Sequence, residues 1–126
     1  MKIKLEHIGD FSPLEKLLNK IKRQEYLNIL NKYGREGVQA LAAATPVDSG
    51  TTASSWNYEI VKTDSQTELI WTNSNINQGH NIAILLQYGH GTGTGGYVMG
   101  TDYINPALAL IFDKMAKELW KEVSAL

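Results

Sequence analysis

Apolar positions recur along this chain with two periods, and the switches between them mark its elements. Leu14, Leu17, Leu18 and Ile21 fall three and four residues apart, the repeat of one helix face. Ser12-Pro13-Leu14-Glu15 carries the matching helix start: Ser12 as cap, Pro13 at the first helical position, and Glu15 to complete a capping box. The phase breaks at Lys22-Arg23-Gln24, and a second stripe follows at Tyr26, Leu27, Leu30, Tyr33, Gly37, Ala40 and Leu41. The spacing predicts helices over 13–22 and 25–44, or one helix kinked between them. Gly34 and Gly37 each cost the second helix about 1 kcal/mol against Ala, so another backbone is expected to approach closely there. Pro46 disfavours helical geometry in the residue before it, which ends the helix near Thr45.

The period then becomes two. From Ser54 to Thr63, Trp56, Tyr58 and Ile60 alternate with Asn57 and Glu59, Asp64-Ser65 makes a tight connection, and Glu68 to Thr72 returns, which predicts a β-hairpin. Asn73 to Asn81 reads as a polar loop. Ile82 to Tyr88 is a short apolar run, and periodicity leaves strand and helix equally open. Gly89 to Gly100 contains six glycines and reads as a flexible loop, with Tyr97-Val98-Met99 as a candidate short strand. Asn105-Pro106 opens a last helix, Asn105 as cap, with the stripe Leu108, Ile111, Met115, Leu119 and Val123 and with Phe112 and Trp120 beside it. The class is α+β: a long N-terminal helix or two, a small antiparallel sheet, a glycine-rich loop, and a C-terminal helix packed on the sheet. Residues 1–126 fit a single domain, with 1–24 as an N-terminal segment able to form a separate short helix.

Composition narrows the chemistry. The chain has no cysteine, so disulfides and thiolate metal sites are excluded. Twelve basic against thirteen acidic side chains give a net charge of −1, unlike a dedicated nucleic-acid binder. Residues 1–37 hold eight basic and five acidic side chains while the rest hold four and eight, a polarity that first fits solvated helix faces and also suits head-to-tail contact between copies. The opening residues MKIKLEHIGD contain no long apolar run, so no signal peptide is expected. No stretch approaches the ~20 apolar residues of a membrane span, and a soluble protein that stays in the cytoplasm unless carried out by something larger is expected.

Candidate catalytic constellations fail on context. The loop Gly89-His90-Gly91-Thr92-Gly93-Thr94-Gly95-Gly96 has the glycines of a phosphate cradle, and an anion- or nucleotide-binding module built on 89–96 is the alternative reading of this chain. A P-loop, however, needs a Lys followed by Ser or Thr opening a helix, and Tyr97-Val98-Met99 follows here. His7, His80 and His90 lack zinc spacing, although His80 and His90 could meet in space with Asp102 as a third ligand. Ser49, Ser54 and Ser55 sit in no nucleophile elbow, and Asp48, Glu59 and Asp102 form no readable pair. No catalytic residue, metal or cofactor is expected. Trp56 and Trp71 suit the core, whereas Tyr97, in the loop, suits an interface.

Two motifs point to a known family. Thr45-Pro46-Val47-Asp48-Ser49-Gly50, at the end of a long helix, resembles the TPVDTG signature of the lambdoid-phage gene-product-ten family of tail-completion and head–tail connector proteins. The family's second signature is a Tyr-Gly-Thr-like step, a glycine-bearing loop and a Pro-Ala-Leu opening the last helix. It is matched by Gln87-Tyr88-Gly89-His90-Gly91-Thr92 and by Pro106-Ala107-Leu108. The likeness spans residues 25–124. It departs from the family at Thr51-Thr52-Ala53-Ser54, where a Leu-Arg pair is common, and at Gln87, where an acidic residue is common. The resemblance implies a virion neck protein without enzymatic activity, forming a ring with other copies between head connector and tail proteins while DNA passes through the channel. On that reading Tyr88, Gly89, His90, Gly91, Thr92, Gly93 and Tyr97 form an assembly loop, ordered on contact.

Overall fold

The computed structural model describes residues 2–5, 23–46, 50–63 and 67–124. The predicted helix over 13–22, the Val47-Asp48-Ser49 turn and the Asp64-Ser65 connection lie outside the described residues. The second predicted helix is present as α1 (Arg23–Ala44), with Thr45 N–H still reaching back to Leu41 O at 3.0 Å before Pro46. A single turn, α2 (Gly50–Ala53), leads into β2 (Trp56–Lys62) and β3 (Thr67–Asn73), the predicted hairpin. An N-terminal strand, β1 (Lys2–Leu5), completes a three-stranded antiparallel sheet in the order β1-β3-β2. Four residues are too few for periodicity to reveal, and this strand was not expected.

The polar stretch after β3 is also more ordered than its composition suggests. It folds as a two-plus-two hairpin, β4 (Ile76–Asn77) and β5 (His80–Asn81), in which Gln78 and Gly79 both take positive φ. The open choice over 82–88 falls to helix: α3 (Ile82–Tyr88) is capped by the Asn81 side chain, which accepts from Ala83 N–H, and is ended by Gly89 at φ 82°. Thereafter the chain makes β6 (Gly89–Gly91), β7 (Tyr97–Met99) and the long α4 (Ile104–Ser124).

The core lies between the sheet and the two long helices. Leu69 and Trp71 of β3 and Trp56 of β2 face Ile29, Leu30, Tyr33 and Leu41 of α1, while Leu108, Ile111 and Met115 of α4 close the other side. α4 runs along α1 and reaches the sheet through Phe112, whose ring lies 5.9 Å from Trp71 at 52°. The glycines of α1 explain how close the helix comes. A Cβ on Gly34 would sit 2.6 Å from Tyr58 Cε2, and one on Gly37 would sit 2.5 Å from Trp71 Cε2. The sheet's aromatic rings, rather than a second backbone, occupy the space those glycines leave. Trp71 Nε1 donates to Gly34 O at 3.0 Å, so the buried indole is satisfied by the helix it presses on.

The middle of α1 is tied to the C-terminal part of α4 by Glu118. Its Oε2 accepts from Tyr33 OH and from Lys32 Nζ, the latter at 3.0 Å. Those two bonds, the tyrosine's first, hold the Glu118 carboxyl below its usual range. A depressed folded-state value means stability present above the ordinary carboxylate range and lost as pH falls through it. Melting temperature is therefore expected to fall from about pH 4 downward, and Glu118→Gln should flatten that limb. An unchanged acid limb in the variant would mean that the tie contributes nothing.

Candidate functional site

The segment 89–100 is a β-hairpin, not an open loop. Gly89 pairs with Met99, His90 with Val98 and Gly91 with Tyr97. At the tip Thr92 N–H donates to Gly96 O, Gly96 N–H to Thr92 Oγ1, and the Thr92 and Thr94 hydroxyls meet at 3.0 Å. The glycines hid the pairing because most strand signals come from side chains. Here the packing is supplied from β7: Tyr97 reaches back to Gly89, where its OH donates to Tyr88 O at 3.0 Å.

The hairpin's root is built as tightly as its arm. A Cβ on Gly89 would stand 2.5 Å from Val98 O, and one on Gly100 2.5 Å from Gln87 O and Gly89 N. Gln87, at the end of α3, is buried and bonds the start of α4 on every side. Its Oε1 accepts Tyr103 N–H and Ile104 N–H, each at 3.1 Å, and its Nε2 donates to Asp102 Oδ1 at 2.7 Å. Asp102 Oδ1 in turn accepts Asn105 N–H at 3.3 Å and Asn105 Nδ2 at 3.1 Å. Two further bonds lock α3 to the same point, Thr101 N–H to Leu86 O and Tyr103 OH to Ala83 O, both 2.9 Å. Burial pushes the Tyr103 phenol up to about 12. The Gln87 amide, followed by the Asn105 donors, holds the Asp102 carboxyl below its ordinary value.

These bonds move the predicted cap. Asn105 was expected to open the last helix, but α4 starts at Ile104, and Asp102 takes the N–H that a capping side chain takes. The local Asn-Pro signal concealed a partner fifteen residues away, Gln87. Pro106 still lies in the first turn, where a missing N–H leaves no carbonyl unpaired. Behind it Ala107 is half-buried and Leu108 fully buried, so these residues of the second motif dock the helix. In the first motif Thr45 is buried: its Oγ1 donates to Leu41 O at 2.6 Å and accepts Trp56 Nε1 at 3.0 Å. Pro46 is half-buried and Gly50 exposed, opening α2; Val47 and Asp48 lie outside the described residues.

The hairpin carries a concentrated apolar surface. Met99 is 84% exposed, Tyr88 67%, Tyr97 63% and Val98 47%. No Asp, Glu, Lys or Arg occurs from Tyr88 to Thr101, so nothing charged interrupts that surface. Trp120, expected beside the α4 stripe, is also exposed, together with Leu110. Leu108, Ile111 and Met115 of the stripe are buried, while Leu119 and Phe112 are half-buried. Among the described residues no three His, Asp or Glu side chains gather as a metal group would, and Asp102 is engaged at the cap rather than with His80 and His90. The tip Thr92–Gly96 leads into β7, not into the helix N-terminus that a phosphate cradle uses. No described helix is long and apolar enough to cross a membrane.

No family model matches the chain. No curated protein and no solved structure matches it either. The likeness to the gene-product-ten family therefore stands on its two motifs.

Proposed function

We propose that this chain is a non-catalytic assembly protein of the neck of a tailed-phage particle, closing as a ring with other copies between the head connector and the tail. The observation that carries the reading is the uncharged β6–β7 hairpin, which exposes Tyr97, Val98 and Met99 beside Tyr88 of α3, on a root fixed by Gln87. Large exposed aromatic and Met side chains are the composition of interface anchors. The hairpin also refines the idea of a loop that orders on contact. Ordering twelve free residues costs on the order of 1–2 kcal/mol each, whereas a ladder already paired within one copy carries much of that cost beforehand. Binding is then preorganised. The motifs Thr45-Pro46-Val47-Asp48 and Pro106-Ala107-Leu108 add the family resemblance, and the virion neck is the location it implies.

The test is complementation of head–tail joining. Removing the gene from its parent phage should leave filled heads and finished tails that fail to join, and purified protein should restore infectious particles. Protein lacking Gly93–Gly96 should melt like the intact chain and fail to restore joining. Normal particle yield without the gene would overturn the neck reading. In parallel, a melting shift with millimolar ATP, GTP or phosphate would favour the anion-binding alternative, because any ligand specific to the fold must stabilise it by mass action.

A further inference from the structure

Among the described residues no strand lies along the outer edge of β2 or of β7, and these two edges match. At the hairpin tip that leads into β7, Thr92 N–H donates to Gly96 O, so 92 and 96 are a hydrogen-bonded pair. Counting along the register, antiparallel alternation turns the backbone groups of Val98 inward to His90 and those of Tyr97 and Met99 outward. Just before β2 and just after β3, Ser74 N–H donates to Ser55 O, and the same counting from Trp56↔Asn73 turns the backbone groups of Tyr58 and Ile60 in β2 outward. Among the described residues nothing pairs with these outward groups in either strand.

The side chains agree with the backbone. Tyr58 and Ile60 lie two residues apart on the core face of β2 and are only half-buried, because the sheet ends there. Tyr97 and Met99 also lie two residues apart on one face of β7, and both are exposed. An uncharged apolar edge is the kind that natural proteins cover or guard with charge, and β7 has no such guard. We infer that β7 of one copy adds as a further strand to the outer edge of β2 in a second copy.

In that arrangement Tyr97 and Met99 extend the core face beside Tyr58 and Ile60, and Val98 lies on the opposite face beside Glu59. The inference rests on the ring reading above and supplies its contact. Each copy donates a hairpin and accepts one, which is a heterologous contact that closes into a ring when the rotation allows. Three residues of β7 bury far less than the ~1,200–2,000 Å² of a stable complex. Single pairs are therefore weak, and closure of the ring, which makes the last contact intramolecular, strengthens them.

The absence of cysteine makes the test clean. Val98→Cys and Glu59→Cys chains are mixed near millimolar concentration under mild oxidation. The mixed disulfide is expected to exceed either self-pair about tenfold. Met99→Pro, which removes an outward N–H and leaves the hairpin's own ladder intact, should abolish the mixed product. Met99→Ala should retain most of it. Circular dichroism and melting of both variants check that the body is folded. Absence of the mixed disulfide, dominance of Val98→Cys self-pairs, or equal cross-linking in Met99→Pro and Met99→Ala would each overturn strand addition. Rings seen by electron microscopy without the mixed disulfide would overturn the contact and leave the ring reading standing. The mixed disulfide together with normal head–tail joining in the gene's absence would overturn the neck role and leave the contact standing.

Discussion

Gly37→Ala is expected to lower the stability of this chain by about 2–4 kcal/mol, although in an exposed helix the same change adds about 1 kcal/mol. The sign reverses because of what α1 rests on. A methyl group at 37 would lie 2.5 Å from Trp71 Cε2, inside contact distance of a ring that is itself fully buried. The indole is fully buried, lies against Phe112 and is bonded through Nε1 to Gly34 O, so it has little room in which to yield. Either α1 lifts from the sheet or the indole leaves its bond. Close-packed interiors accept neither cheaply. Chemical denaturation with Gly50→Ala as a control gives the measurement, since a Cβ on Gly50 would meet nothing within 4 Å. A Gly37→Ala chain as stable as the parent would mean that helix and sheet are further apart than described. The double change Gly37→Ala with Trp71→Phe should cost less than the sum of its parts, the signature of two residues sharing one space.

Gln87→Leu should cost about 2–5 kcal/mol by a different route. Its volume is nearly conserved, so the loss is polar. The N–H groups of Tyr103 and Ile104 lose their only described acceptor, and each buried unpaired donor costs roughly 1–3 kcal/mol. Gln87→Glu separates two parts of the role. A carboxylate still accepts both N–H groups and suits a helix N-terminus. It cannot donate to Asp102 Oδ1, and it sets a second negative charge within hydrogen-bonding distance of the first. The Glu variant should therefore be less stable than the parent at pH 7 and recover part of the difference towards pH 5, when the pair shares a proton. Melting curves across that range check it. Equal losses for Leu and Glu at every pH would show that Oε1 is not the atom that counts.

The elements legible in the sequence were those long enough to repeat. The stripe from Tyr26 to Leu41, the alternation Trp56-Tyr58-Ile60 and the run Leu108-Ile111-Met115 each recur in the structure on a buried face. The short elements β1, β4, β5, α3 and β6 were not legible, because their state is decided by neighbours. Ile82 to Tyr88 became a helix through one Asn81 bond and one glycine at positive φ. Tyr97-Val98-Met99 was visible as a candidate strand, but its partner has two glycines in three residues and offers no side-chain pattern. Gln87 stood out only as a departure from the family pattern. Its reason is tertiary: the residue it serves, Asp102, already carries the acid, so an amide is the complementary group. Thr45 likewise looked like a motif letter and is the hydroxyl that satisfies a buried indole.

The placing of the three tryptophans has an optical consequence. Trp56 and Trp71 are enclosed and hydrogen-bonded, whereas Trp120 stands on the outer face of α4. Fluorescence from the folded chain is therefore a mixture, two shielded emitters at shorter wavelength and one that iodide can reach. Trp120→Phe removes the accessible emitter at an exposed position. The remaining signal reports on the same ground that Gly34 and Gly37 keep clear, so the contact between α1 and the sheet can be followed by light alone.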